Sequence, residues 1–152
     1  MVSIADKAVL VTGANRGIGR ALVEEALRRG ATRVYAGMRD VLTHSDERVT
    51  PLTLDVTDAA QTQAAVDKIE SLDVLVNNAG IALYDDLSDR STLERHLAVN
   101  LFGTYGVTQA LLPLLTRSKA CVPRLGFDVV REFGGWAGQT RLGPVTWRVT
   151  RP

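Results

Sequence analysis

The chain has one cysteine, Cys121, in 152 residues, so no disulfide can form within it. No Cys and His residues at metal-ligand spacing accompany it, and neither a structural metal nor an oxidising compartment is expected. Excess charge is lacking too. Eighteen Lys and Arg against seventeen Asp and Glu leave a formal charge of +1, too little for a basic surface that would seek nucleic acid or an anionic membrane. Asp6 and Lys7 interrupt the opening MVSIADKAVL, which therefore lacks the continuous apolar segment of a signal peptide. No later stretch reads as a bilayer span, and the expected location is cytoplasmic.

What is present is ordinary for one globular domain, with 45% apolar and 23% charged residues. KAVLVT (7–12) is a short apolar run that ends in a glycine loop. Ile18, Leu22, Val23, Ala26 and Leu27 then recur at helical spacing up to Gly30. TRVYAGM (32–38) and VTPLTLDV (49–56) predict second and third strands, with a polar connector between them and Pro51 tolerable near a strand start. Asp58 can cap a helix running to about Glu70. LDVLVNNAG (72–80) is the nearly continuous apolar run of a strand covered on both faces. A long helix over about Ser91–Arg117 follows, with Pro113 bending or interrupting its last third. This alternation predicts an α/β fold with a doubly wound parallel sheet of the Rossmann type, in strand order 3-2-1-4.

After Ala120 the composition changes. The remainder holds both tryptophans, the cysteine, five of the thirteen glycines and no lysine, without sustained apolar periodicity. The expected division is an incomplete nucleotide-binding domain over 1–119 and an atypical, irregular tail over 120–152. A shifted reading frame or a rearrangement of the gene near Lys119 and Ala120 would produce such a break.

TGANRGIG (12–19) sits between the first strand and the first helix, where amide N–H groups and the positive end of the helix dipole can receive a phosphate. A plain strand-to-helix turn would use glycine as well. The wider pattern is more specific: T-G-x-x-x-G-I-G, then Asp55-Val56, Asn77-Asn78-Ala79-Gly80 and Val99-Asn100, in that order. Over residues 7 to about 117 it resembles the short-chain dehydrogenase/reductase family.

The resemblance implies a dinucleotide held by Gly13, Asn15, Arg16, Gly17, Ile18 and Gly19. Asp55 would accept from the adenine amino group, Val56 would lie against the ring, and Asn77, Ala79 and Gly80 would line the floor. The N-N-A-G segment would also brace the sheet, plausibly through Thr12. An NAD-specific site of this kind carries an acid at the end of the second strand. Met38 and Arg39 stand there instead, and Arg39 with Arg16 could clamp a 2′-phosphate. NADP(H) is therefore expected over NAD(H), although Asp40 is adjacent and both arginines also read as solvated surface.

The family's chemistry is hydride transfer between the nicotinamide and a carbonyl or alcohol carbon. A serine and a Tyr-x-x-x-Lys pair on one helix face manage the proton. Tyr35, Tyr84 and Tyr105 have Arg39, Ser88 and Gln109 four positions on, so none supplies the pair. Asn100 matches the family's asparagine, and alone of the catalytic set it is present. The expected function is that of an oxidoreductase of this family lacking its serine, tyrosine and lysine; the alternative is a non-catalytic dinucleotide-binding module or inactive fragment.

Without a fifth and sixth strand, the fourth would be an open edge inviting association. Leu97, Leu101, Phe102, Leu111 and Leu115 on the long helix would lose their cover, and self-association could use either surface. Each such side chain is worth roughly 1.5–3 kcal/mol when buried, against a net domain stability of about 5–15 kcal/mol. His44, His96 and Cys121 read as non-catalytic, and Trp136 and Trp147 are weak evidence for a stacking surface.

Overall fold

The strand Ala8–Thr12 (β1) is buried along its whole length and divides its side chains between two cores. Ala8 and Leu10 join one core, Val9 and Val11 the other, as period-2 alternation requires of a strand covered on both faces. In this computed structural model the described residues are 3–83 and 89–118. The expectations for Tyr84, Ser88, Cys121, Trp136, Trp147 and the 120–152 tail lie outside them.

After β1 come α1 (Gly17–Arg28), β2 (Arg33–Met38), β3 (Val49–Thr53), α2 (Ala59–Val66), β4 (Val74–Val76) and α3 (Arg90–Leu97). A π-helical segment, Ala98–Gly103, then runs into α4 (Thr104–Arg117). The strands are parallel and ordered β3-β2-β1-β4, the expected 3-2-1-4 arrangement. Val9 pairs with Val34 on one side and Val74 on the other, which fixes the register at the centre. Pro51 lies opposite Ala36 on the outermost strand, β3, where a missing N–H is tolerated.

One face of the sheet packs on α1 through Val23, Ala26 and Leu27. The other packs on α2 and α4 through Ala65, Val107, Leu111, Leu114 and Leu115. The expectation that Leu111 and Leu115 would be left without partners is therefore corrected. Each is 2% exposed, because this face of α4 lies on the sheet. Leu97, Leu101 and Phe102 are exposed.

A second correction concerns membrane spans. The continuous helical run Arg90–Arg117 is long and apolar enough, by length and composition alone, to cross a bilayer. Its buried residues here are core contacts to the sheet. Pro113 does not interrupt α4, which continues to Arg117.

Candidate functional site

In the order β3-β2-β1-β4 the chain leaves β1 to one side and returns on the other to form β4. The loops after these two strands therefore part at their carboxyl ends, the position where open α/β sheets bind ligands. A cleft of about 600 Å³ opens there, within the roughly 300–1,000 Å³ usual for cofactor pockets. All four strand ends contribute to it. The loop after β1 supplies Gly13, Asn15, Arg16 and Gly17, with Ile18 and Gly19 opening α1; Arg39 follows β2. Asp55 and Val56 follow β3, and Ala79 and Gly80 follow β4.

Two glycines explain the shape of the loop. At Gly19 an added Cβ would overlap the Gly13 carbonyl oxygen and lie 2.6 Å from Asn78 Nδ2, so only glycine lets the helix start so close to the neighbouring loop. At Gly17, with φ +53°, an added Cβ would meet nothing. That backbone faces open space in the cleft. Arg16, at the N-cap of α1, provides no side-chain acceptor, and the first turn holds no acid. By contrast α2 and α3 are capped by Asp58 and Asp89. The amides that open α1 thus lack the side-chain acceptors given to α2 and α3, and an anionic group suits them.

Thr12 ties the two loops together from the interior. It is 1% exposed. Its Oγ1 accepts from the Asn78 N–H at 3.0 Å and the Ala79 N–H at 2.9 Å, and donates to the Val76 carbonyl. Asn78 returns the contact by donating its Nδ2 to the Thr12 carbonyl at 2.9 Å. Asn78 also lines the cleft, whereas Asn77 does not. The Asn77 Nδ2 donates to Thr108 Oγ1 at 3.0 Å, fastening β4 to α4. Asn77 thus braces β4 against α4, and among the two asparagines it is Asn78 that lines the cleft. Leu75 belongs to the core under α2 and α4, while Val74 and Val76 belong to the α1 side, so the alternation along β4 carries Asn77 to the α4 side.

Asp55 is held still. Its Oδ1 accepts from the Thr57 N–H at 2.9 Å and hydroxyl at 2.7 Å, while Gln61 Oε1 accepts its backbone N–H at 2.9 Å. The Thr57 hydrogen bonds, and then the charge of Arg39, hold its carboxyl below the usual range, so it is an ionised acceptor at neutral pH. Arg16 and Arg39 are exposed and, among the described residues, their side chains form no hydrogen bond or ion pair.

Asn100 lies in the π-helical segment and spends its side chain on the loop after β4, pairing with the backbone of Ile81. His96 is half-buried rather than a plain surface residue: its Nε2 accepts from the Leu83 N–H at 2.8 Å. His44 pairs with Glu24 on α1, away from the cleft. Tyr35 is buried, and its hydroxyl accepts from the Glu70 N–H. Leu54, Thr57, Ile81, Arg95, Ala98 and Val99 also line the cleft. The linear pattern marked none of them as cofactor residues, because they belong to walls that form only when the π segment packs on the loop after β3, as Gly103 does on Val56.

A glycine loop and an open helix N-terminus at a topological switch point define a dinucleotide-binding α/β protein. The sequence model of the short chain dehydrogenase family matches residues 7–122, and the chain belongs to that family. Estradiol 17-beta-dehydrogenase 2 of Mus musculus is 37% identical over 136 residues, covering 78% of this chain and 35% of its own length. Oxidoreductase UcpA of Salmonella typhimurium is 33% identical over 132 residues, covering 78% of this chain and 50% of its own. Among solved structures, a short chain dehydrogenase from Burkholderia cenocepacia in complex with NADP superposes with a TM-score of 0.76 at 32% identity. That match covers 80% of this chain and 53% of the other. The chain thus spans about half the length, or less, of these relatives.

Proposed function

We propose that this chain binds NADP(H) in the cleft, in preference to NAD(H), as the cofactor-binding part of an oxidoreductase that moves hydride between NADP(H) and a carbonyl or alcohol. The observation that carries the reading is the open amide cradle at Gly17 with Arg16 and Arg39 beside it. In the Burkholderia relative, NADP is the bound ligand. Gly13 to Gly19 would hold the pyrophosphate, Asp55 and Val56 the adenine, and Arg16 with Arg39 the 2′-phosphate. Bound there, the cofactor would supply a transferable hydride.

A second reading concerns turnover. No tyrosine in the 152 residues has a lysine four positions on, and the Tyr35 hydroxyl is committed inside the core. The chain by itself is then a binding module that lacks the proton-handling pair, located in the cytoplasm. Its exposed Leu97, Leu101, Phe102 and Tyr105 offer a surface for self-association.

Titration of the purified chain with NADPH and NADH, followed by an assay of NADPH-dependent carbonyl reduction, tests both readings. Tighter binding of NADPH without turnover is expected. Equal affinities would overturn the assignment of Arg16 and Arg39, and robust turnover would overturn the binding-module reading.

A further inference from the structure

Among the described residues three arginines line the cleft, Arg16, Arg39 and Arg95, against one carboxylate, Asp55. Two of them belong to the loops after β1 and β2. Arg95 comes from α3 and lines the cleft together with Ala98 and Val99, three and four residues further along the same helical face. The loop after β3 supplies another wall, Leu54 to Thr57. The two walls meet at Gly103, where an added Cβ would lie 2.7 Å from Val56 Cγ2. The gap at this end is therefore fixed by close packing.

Arg95 has no structural employment in view. It is exposed, and among the described residues its side chain makes no hydrogen bond or ion pair, while Arg90 on the same helix pairs with Glu94 at 2.8 Å. Nor is Arg95 among the groups that lower Asp55, whereas Arg39 is. The cleft thus has one cation near the Asp55 carboxylate and another on the α3 wall, in line with the apolar side chains of Ala98 and Val99.

We propose that Arg95 is a cofactor-binding residue whose guanidinium lies flat on the face of the adenine ring turned away from β3. The inference rests on the dinucleotide reading of the cleft. A planar, weakly hydrated cation flanked by Ala98 and Val99 is suited to an aromatic face. A phosphate on the ribose would be drawn to Arg16 and Arg39 on the loop side. Arg95 therefore adds affinity for any adenine nucleotide without discriminating the 2′-phosphate.

Equilibrium titration of the full chain and of R95A and R95K with NADPH, NADH and reduced nicotinamide mononucleotide tests this. R95A is expected to weaken NADPH and NADH by the same factor, about three- to tenfold, and to leave the mononucleotide unchanged. R95K is expected to recover only part of the loss. Weakening confined to NADPH would assign Arg95 to the phosphate and overturn the stacking role. Full recovery in R95K, which keeps the charge without the plane, would also overturn it, as would unchanged binding in R95A. Failure of the unsubstituted chain to bind either dinucleotide would instead reject the reading of the cleft, and this proposal with it.

Discussion

Asn100 grips Ile81 at both ends: its Oδ1 accepts the Ile81 N–H at 2.9 Å, and its Nδ2 donates to the Ile81 carbonyl at 2.8 Å. The contact spans nineteen residues and joins the π-helical segment to the loop that floors the cleft. A π bulge inside a longer helix marks a local demand that regular winding does not meet, and here it coincides with the position of this grip.

Replacing Asn100 with alanine should therefore loosen the floor more than the domain. Two exposed hydrogen bonds are lost, together worth about 1 kcal/mol. Amide exchange at Ile81 should quicken about fivefold, with a small change in the urea midpoint. Unchanged exchange at Ile81 alongside a large global loss would show that the asparagine acts through the helix instead. Asn100→Asp, which keeps the acceptor and loses the donor, should fall between the two.

Thr12 carries a heavier load because it is buried. Thr12→Val keeps the shape and removes the hydroxyl that accepts from both the Asn78 and Ala79 amides. Unsatisfied groups of this kind cost about 1–3 kcal/mol each. A loss of roughly 2–4 kcal/mol in urea denaturation is expected. Thr12→Ser keeps the hydroxyl and sheds one methyl, for about 1 kcal/mol. Equal losses in the two variants would remove the hydroxyl from the account.

These contacts also explain how far the sequence could be read. The four strands, their order and the two-faced cores follow from apolar runs of the right length, and β1 and β2 fall within one residue of the ranges expected from sequence. The ends of β3 and β4 were not legible. The expected strand to Gly80 stops at Val76 because the amides of Asn78 and Ala79 turn to Thr12, 66 and 67 residues away. The expected strand to Val56 stops at Thr53, where Asp55 is drawn into a turn by Thr57 and Gln61. Helix α2 ends at Val66 rather than Glu70, as Lys68 and Ile69 tighten into three-residue turns and the Glu70 amide reaches Tyr35. The site shows the same division. The glycine loop is local and legible, whereas only the fold shows that Asn78 and Arg95 line the same cleft.

The pH response of Asp55 has a definite sign. Its carboxyl sits below the ordinary value of 3.8, held mainly by Thr57. A carboxylate lowered by folding contributes stability that is present above the unfolded value and lost as pH falls through the folded one. Asp55→Asn should cost less than about 1 kcal/mol near neutral pH, since the group is only partly buried and solvent screens it, and the cost should vanish in strong acid. Binding of an adenine nucleotide by the unsubstituted chain should not titrate with this group near neutrality. A binding midpoint in the neutral range that disappears in Asp55→Asn would refute the assignment.

Gly17 and Gly19 offer the sharpest separation of folding from binding. At Gly19 an alanine Cβ overlaps the Gly13 carbonyl oxygen and crowds Asn78 Nδ2, so the start of α1 must move away from the loop. A loss above about 2 kcal/mol is expected, with binding lost as a consequence. At Gly17 the same Cβ meets no atom of the protein. The cost to folding is only that of holding alanine at φ +53°, about 1–2 kcal/mol. Yet the methyl group would stand in the open space where the backbone faces the cleft, and it would keep a phosphate from the amides beyond it. Gly17→Ala should thus remain folded by circular dichroism, with NADPH affinity reduced at least tenfold. If Gly17→Ala binds NADPH as the unsubstituted chain does, the open side of this loop is not where the pyrophosphate lies.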